Sequence, residues 1–142
     1  PLFHVNGEVV TLMTPLVAGG AVVLNRKFSV SRFWSTVRHY AVNGVSVVPT
    51  LLSMLLSQPE VVDTPDSLQF IVCGAAPLPV EVHKQFESVF GVPVFEGYGL
   101  SETTCYATFN PRDLNTRKIG SIGVPVDCDV EIMDEQHQPC PP

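Results

Sequence analysis

A chain of 142 residues is long enough to enclose one hydrophobic core, and 45% hydrophobic against 15% charged residues excludes a disordered chain. Eight Lys and Arg against fourteen Asp and Glu leave a net charge of −6, which repels phosphate backbones and anionic membranes; nucleic acid is not the expected partner, although backbone N–H groups could still hold a small anion. No run reaches the ~18 consecutive apolar residues of a membrane span and no basic stretch precedes an apolar one at the start, so no transmembrane segment is expected.

In chain order, a helix is expected at about residues 9–17, ahead of four short apolar runs at 21–24, 45–48, 70–73 and 92–95 that read as strands buried on both faces. Between them, residues 31–42 place Phe33, Val37 and Tyr40 at helical spacing, 50–57 reads as a second helix, and 80–90 as a third that Pro79 opens. Strand and helix alternating in this way predict an α/β fold, a mainly parallel sheet with flanking helices. Residues 110–118 are polar and turn-rich, and 127–133 alternate with Cys128, Val130 and Ile132 on one face, as a half-exposed strand does. The expected division is an α/β subdomain over residues 1–110 and the opening of a truncated, β-barrel-like subdomain over 111–142. Pro1 beginning on an apolar segment and Pro141-Pro142 ending the chain read as the edges of an excerpt.

Cys73, Cys105, Cys128 and Cys140 form no C-x-x-C pair, which points to buried or neutral thiols in a reducing, cytoplasmic compartment. There is no G-x-x-x-x-G-K-[ST], G-x-S-x-G or H-E-x-x-H, and Glu102 stands where a dinucleotide fingerprint needs its third glycine. His39, His83 and His137 read as surface or packing residues. His4, between apolar residues and Gly7, stays open at this level.

In a parallel sheet the working loops follow the carboxyl ends of the strands, and three of them carry special residues: Pro49-Thr50, Gly74-Ala75-Ala76-Pro77 and Gly97-Tyr98-Gly99. The small residues at 74–76 let a flat ring approach the backbone, and Tyr98 offers an aromatic face. Ser101, Thr103 and Thr104 supply hydroxyls for phosphate oxygens, and Glu102 a carboxylate for a hard cation such as Mg²⁺. The alternative is that Ser101 and Glu102 cap a helix.

Residues 1–7, 73–79, 97–104 and 120–125 resemble the motifs of the adenylate-forming superfamily, in the family's order and spread over essentially the whole chain. The resemblance implies an acyl-CoA synthetase that joins a carboxylic acid to ATP as acyl-AMP, releases pyrophosphate and passes the acyl group to CoA. It implies ATP/AMP, Mg²⁺ and CoA as ligands beside a small carboxylate that is fatty, aryl or dicarboxylic. By position, His4, Asn6 and Val10 line the acyl pocket and Lys27 contacts CoA. Gly74, Ala75, Ala76, Glu96 and Gly97 wall the nucleotide, with Tyr98 stacking on adenine before Gly99. Ser101 meets the α-phosphate and Glu102 holds Mg²⁺.

Two positions depart from common versions of the family: Ser101 stands where threonine is frequent, and Glu96 where an amide occurs, which leaves Glu96 free to face the substrate or the adenine amine. The family's phosphate loop is expected before Pro1 and its ribose-binding aspartate, hinge and lysine beyond Pro142, so negligible ligase activity is expected of the chain alone. An adenylation domain that loads a carrier protein, and a non-catalytic nucleotide-binding or structural fragment, are the alternatives.

Overall fold

The computed structural model describes residues 2–58 and 63–140. Pro1, Pro141 and Pro142, expected to mark the edges of an excerpt, lie outside the described residues. The chain opens with α1, a wide π-helical stretch Asn6–Met13 that runs into an α-helical turn Thr14–Val17. Thr11 and Thr14 donate their hydroxyls to the carbonyls of Asn6 and Val9, five residues back, which supports the wide winding. Next in order are helix α2 (Val30–His39), strand β1 (Gly44–Val47), helix α3 (Pro49–Leu56), strand β2 (Phe70–Cys73) and helix α4 (Val80–Phe90), then strands β3 (Val94–Leu100), β4 (Cys105–Phe109) and β5 (Val124–Pro125).

The five strands lie in sequence order in one sheet, β1 to β3 parallel and β3 to β5 antiparallel. The α/β expectation holds, with a sheet that is mixed rather than mainly parallel. The parallel half exists because α3 and α4 each supply the long connection that parallel neighbours need. Pro49 opens α3 and Pro79 precedes α4, where a missing N–H costs nothing. Gly91 ends α4 with φ of 68°, a left-handed conformation that favours glycine.

Alternation along the strands separates two faces. Ile71, Cys73, Val47 and Val94 point at α3 and α4 and join Leu52, Leu55, Phe86 and Phe90 in the main core, which Trp34 of α2 closes with its ring 4.7 Å from that of Phe90. Ser46 and Val72 point the other way, toward α1: Ser46 Oγ donates to Asn6 Oδ1 at 2.8 Å.

Two expected strands do not form. Residues 21–24 carry no ladder, because a strand exists only through a hydrogen-bonded neighbour and, among the described residues, β1 pairs with β2 alone. Residues 127–133 are exposed and form no strand beyond an isolated bridge between Met133 and Pro139, which brackets a turn at Asp134–Gln138. The sheet is extended into this region only by Val124 and Pro125. The expected loop at Gly97-Tyr98-Gly99 is the second half of β3, because β4 runs back beside it and supplies a ladder.

A polar network fastens α4 to β3 and to the stretch before β5. His83, 1% exposed on α4, places Nδ1 at 3.2 Å from Glu96 Oε1 of β3 and Nε2 at 3.2 Å from Glu87 Oε1 one turn along. Arg117 NH2 donates to Glu87 Oε2 at 2.9 Å and its NH1 to the Val94 carbonyl at 2.6 Å, while Glu87 Oε1 accepts the Val94 N–H at 2.7 Å. Burial alone raises the Glu87 pKa, but the Arg117 and Val94 hydrogen bonds and the nearby positive charges outweigh it, and the carboxyl sits below its ordinary value.

Truncating a fully buried core side chain forfeits its contacts and leaves a cavity, so Leu52→Ala in the full-length protein is expected to cost about 2–5 kcal/mol, read by chemical denaturation. The depressed Glu87 pKa contributes stability that is complete above the ordinary value of 4.5 and is lost as pH falls through the lower folded value. Thermal melts of wild type and Glu87→Gln should therefore differ most near neutral pH and converge in acid; a gap that is constant with pH would contradict the ion pair.

Candidate functional site

Hydrogen bonding in register sets Val47 beside Cys73 and Cys73 beside Glu96. The next residues along the three parallel strands therefore emerge at one rim: Val48-Pro49 after β1, Gly74 after β2, Gly97 in β3. Gly74 N–H reaches back to the Val47 carbonyl at 3.3 Å. A Cβ built on Gly74 would lie 3.1 Å from the Gly97 carbonyl and 3.4 Å from the Tyr106 hydroxyl, a tight fit that a bare backbone avoids. Ala75 comes next with φ of 68°, turning the chain sharply out of the sheet. Ala75 and Ala76 are exposed, and Tyr98 presents its ring 48% exposed. Glycine at 97 makes room rather than motion, since a Cβ there would meet the rings of both Tyr106 and Phe109 at 2.6 Å.

Beyond β3 a single 3₁₀ turn, Ser101–Thr103, leads into β4. Its cap is made by Thr103, whose hydroxyl accepts the Leu100 N–H and sits 3.1 Å from the Leu100 carbonyl. Ser101 and Glu102 take no part in that cap, and both side chains stand exposed at the end of the strand. Among the described residues no three His, Cys, Asp or Glu side chains gather into a metal cage. A lone carboxylate such as Glu102 suits a hard cation that takes its remaining oxygens from phosphates and water.

On the α1 side of the sheet lies a cleft of about 350 Å³ lined by Val9, Val10, Val72, Cys105, Tyr106 and Phe109. The Tyr106 hydroxyl is buried and has no hydrogen-bond partner among the described residues. Burial first, and the neighbouring Cys105 and Cys73 second, push its pKa above the ordinary phenol value, so it is a neutral O–H donor at pH 7. Burial, aided by the charge of Glu96, pushes the Cys73 thiol up to about 12, and burial also raises Cys105; neither is a nucleophile. All four cysteines are free, with Cys128 exposed rather than buried.

The structure brings together Gly74, Ala75, Ala76, Gly97, Tyr98 and Gly99 at the rim, with Ser101 and Glu102 at its end and Val10 in the adjoining cleft. Asn6 is bound to Ser46. His4 is exposed ahead of α1 with its ring 4.8 Å from that of Phe3, and Lys27 is exposed in the segment between α1 and α2. Glu96 turns its carboxylate to His83 and away from the open rim. Sequence reasoning passed over Tyr106, which no motif marks, and the Glu87–Arg117 pair, whose members are thirty residues apart. The spacing of His83 and Glu87 by four residues on a helix was the available signal.

The family described as "AMP-binding enzyme" matches residues 1–142. The sulfoacetate–CoA ligase of Cupriavidus necator is 40% identical over 141 residues, covering 99% of this chain and 28% of the relative. A 2-succinylbenzoate–CoA ligase of Bacillus pumilus is 34% identical over 94% of this chain and 27% of its own length. Among solved structures, the o-succinylbenzoate coenzyme A synthetase of Bacillus subtilis in complex with ATP and a magnesium ion superimposes with a TM-score of 0.83 at 31% identity, covering all of this chain and 29% of that one. The chain thus spans less than a third of the length of the relatives it matches, and with one family covering every residue of it, it belongs to the AMP-binding enzymes.

Proposed function

We propose that this chain forms part of the nucleotide and acid site of an ATP-dependent acid–CoA ligase. The observation that carries the reading is the meeting of Gly74 and Gly97 on one rim beside the half-exposed Tyr98, in a chain whose relatives are CoA ligases. In this reading a carboxylate oxygen of the acid attacks the α-phosphorus of ATP, giving acyl-AMP and pyrophosphate; the CoA thiol then attacks the acyl carbon and AMP departs.

Adenine lies against the bare backbone of Gly74, Ala75, Ala76 and the Glu96–Gly97 strand, with the Tyr98 ring on its face and Gly99 beyond. The Ser101 hydroxyl donates to the α-phosphate. Glu102 is the carboxylate placed to hold Mg²⁺, which supplies neutralisation of phosphate charge when bound. The acyl portion enters the cleft at Val10, bounded by His4 and Asn6 at the start of α1, and Lys27 meets CoA. Inside the cleft the unpartnered Tyr106 O–H donates to a second polar group of the acid. The acids named for two of the relatives, sulfoacetate and 2-succinylbenzoate, both carry such a group.

Residues 111–142 are read as the opening of a β-rich subdomain, and the 142-residue chain, which covers 28% of one CoA-ligase relative, as inactive by itself. A reducing, cytoplasmic setting fits its four free cysteines. Among the described residues no helix is long and apolar enough to cross a membrane.

The test is pyrophosphate release by the full-length protein with ATP and a panel of carboxylic acids; silence with every acid removes the reading. In an active enzyme, Glu102→Gln is expected to lower kcat about 10²-fold or more. Loss of one base-stacking ring in Tyr98→Ala should raise the KM for ATP about tenfold, as removal of a stacking contact does. Tyr106→Phe should raise KM for acids with a distal polar group and leave that for plain alkyl acids unchanged.

A further inference from the structure

We infer that His83 is a doubly protonated clamp that positions the nucleotide wall of β3 through Glu96. This rests on the proposal that β3 walls the nucleotide of a ligase. Both ring nitrogens of His83 face carboxylate oxygens at 3.2 Å, Glu96 Oε1 on one side and Glu87 Oε1 on the other. A carboxylate offers only lone pairs, so each contact is a hydrogen bond only if the ring nitrogen donates.

The one cation near Nε2 among the described residues does not change this count. Arg117 NH1 lies 3.5 Å from Nε2, but its two hydrogens are taken by closer acceptors, Glu87 Oε1 and the Val94 carbonyl. Nε2 is left to donate. Charge gives the same answer: the groups facing the ring are Glu87 on its own helix, Glu96 on β3 and Arg117 from the stretch before β5, with the Cys73 thiol next to Glu96 kept neutral by burial. Two carboxylates and one guanidinium balance only when the imidazole carries the fourth charge, and an unbalanced charge at a ring 1% exposed is costly.

The position of Glu96 gives the clamp its function. It is the last residue of the parallel ladder, paired with Cys73, and directly precedes Gly97 and Tyr98. Its Oε1 also lies 3.4 Å from the Gly120 N–H, and its carbonyl accepts the Asn110 N–H at 2.9 Å. Held at side chain and backbone, Glu96 fixes the height at which the Gly97 backbone and the Tyr98 ring meet a nucleotide. His83 is a positioning residue in this scheme, acting through Glu96.

The experiment uses the full-length protein with ¹⁵N-labelled histidine. In wild type at pH 7 one ring, assigned by its loss in His83→Gln, should show both nitrogens protonated; a singly protonated ring there overturns the inference. Kinetically, His83→Gln leaves the Glu96 carboxylate unpaired and should raise KM for ATP about tenfold or more, a misplaced wall being able to cost up to 10²-fold, with KM for the acid unchanged. Adding Glu96→Gln removes that unpaired charge, so the double variant should recover most of the loss.

If the two substitutions instead multiply to within about twofold, as independent sites do, the clamp is refuted. A wild-type enzyme that releases no pyrophosphate removes the ligase reading while the ring-nitrogen measurement still judges the protonated clamp; a singly protonated ring in an active ligase removes the clamp alone.

Discussion

Three parallel strands bonded in register bring Val47, Cys73 and Glu96 side by side, and the chain continues past all three in the same direction. Stretches separated by more than twenty residues in sequence become neighbours at one rim because α3 and α4 carry the chain back before each new strand begins. The special residues do their work only in that setting. A side chain at 74 would crowd the carbonyl of Gly97 on the next strand, a constraint that no local feature of residues 73–77 expresses.

Strand β3 belongs to both halves of the sheet, parallel to β2 over Val94–Glu96 and antiparallel to β4 over Gly97–Leu100. The change falls between Glu96 and Gly97. A junction of this kind needs an anchor on each side: on one side Glu96 is tied to His83, and on the other the rings of Tyr106 and Phe109 lean on Gly97. In the His83, Glu87, Glu96 and Arg117 set, removing a single partner leaves another charge without compensation. The set contributes fixed geometry more than net stability.

What could be read in the sequence was whatever depends on neighbours a few residues away. Helix 80–90 was legible to the residue, since Pro79, the apolar spacing and Gly91 mark both ends locally. The runs at 45–48 and 70–73 were legible because continuous apolar strands between turn residues have few other uses. The strand expected at 21–24 failed for the converse reason: an apolar run states a preference, whereas a ladder needs a partner elsewhere in the chain. The same gap made Gly97-Tyr98-Gly99 look like a loop, for its pairing with Cys105–Phe109 exists only once β4 has folded back. At the site, the rim residues at 74–76 and 97–99 were legible from their place after the strands, and the resemblance added their roles. Tyr106 and Arg117 were not, because their meaning lies in contacts with Gly74 and Glu87 across the fold.

The packing of two aromatic rings onto the bare backbone at Gly97 bears on redesign. A side chain added there would meet both rings at 2.6 Å, so any substitution at that position requires Tyr106 and Phe109 to shift. Val10 and Val72, one layer away, line the adjoining cleft with apolar side chains, so the volume there can be changed through side chains alone.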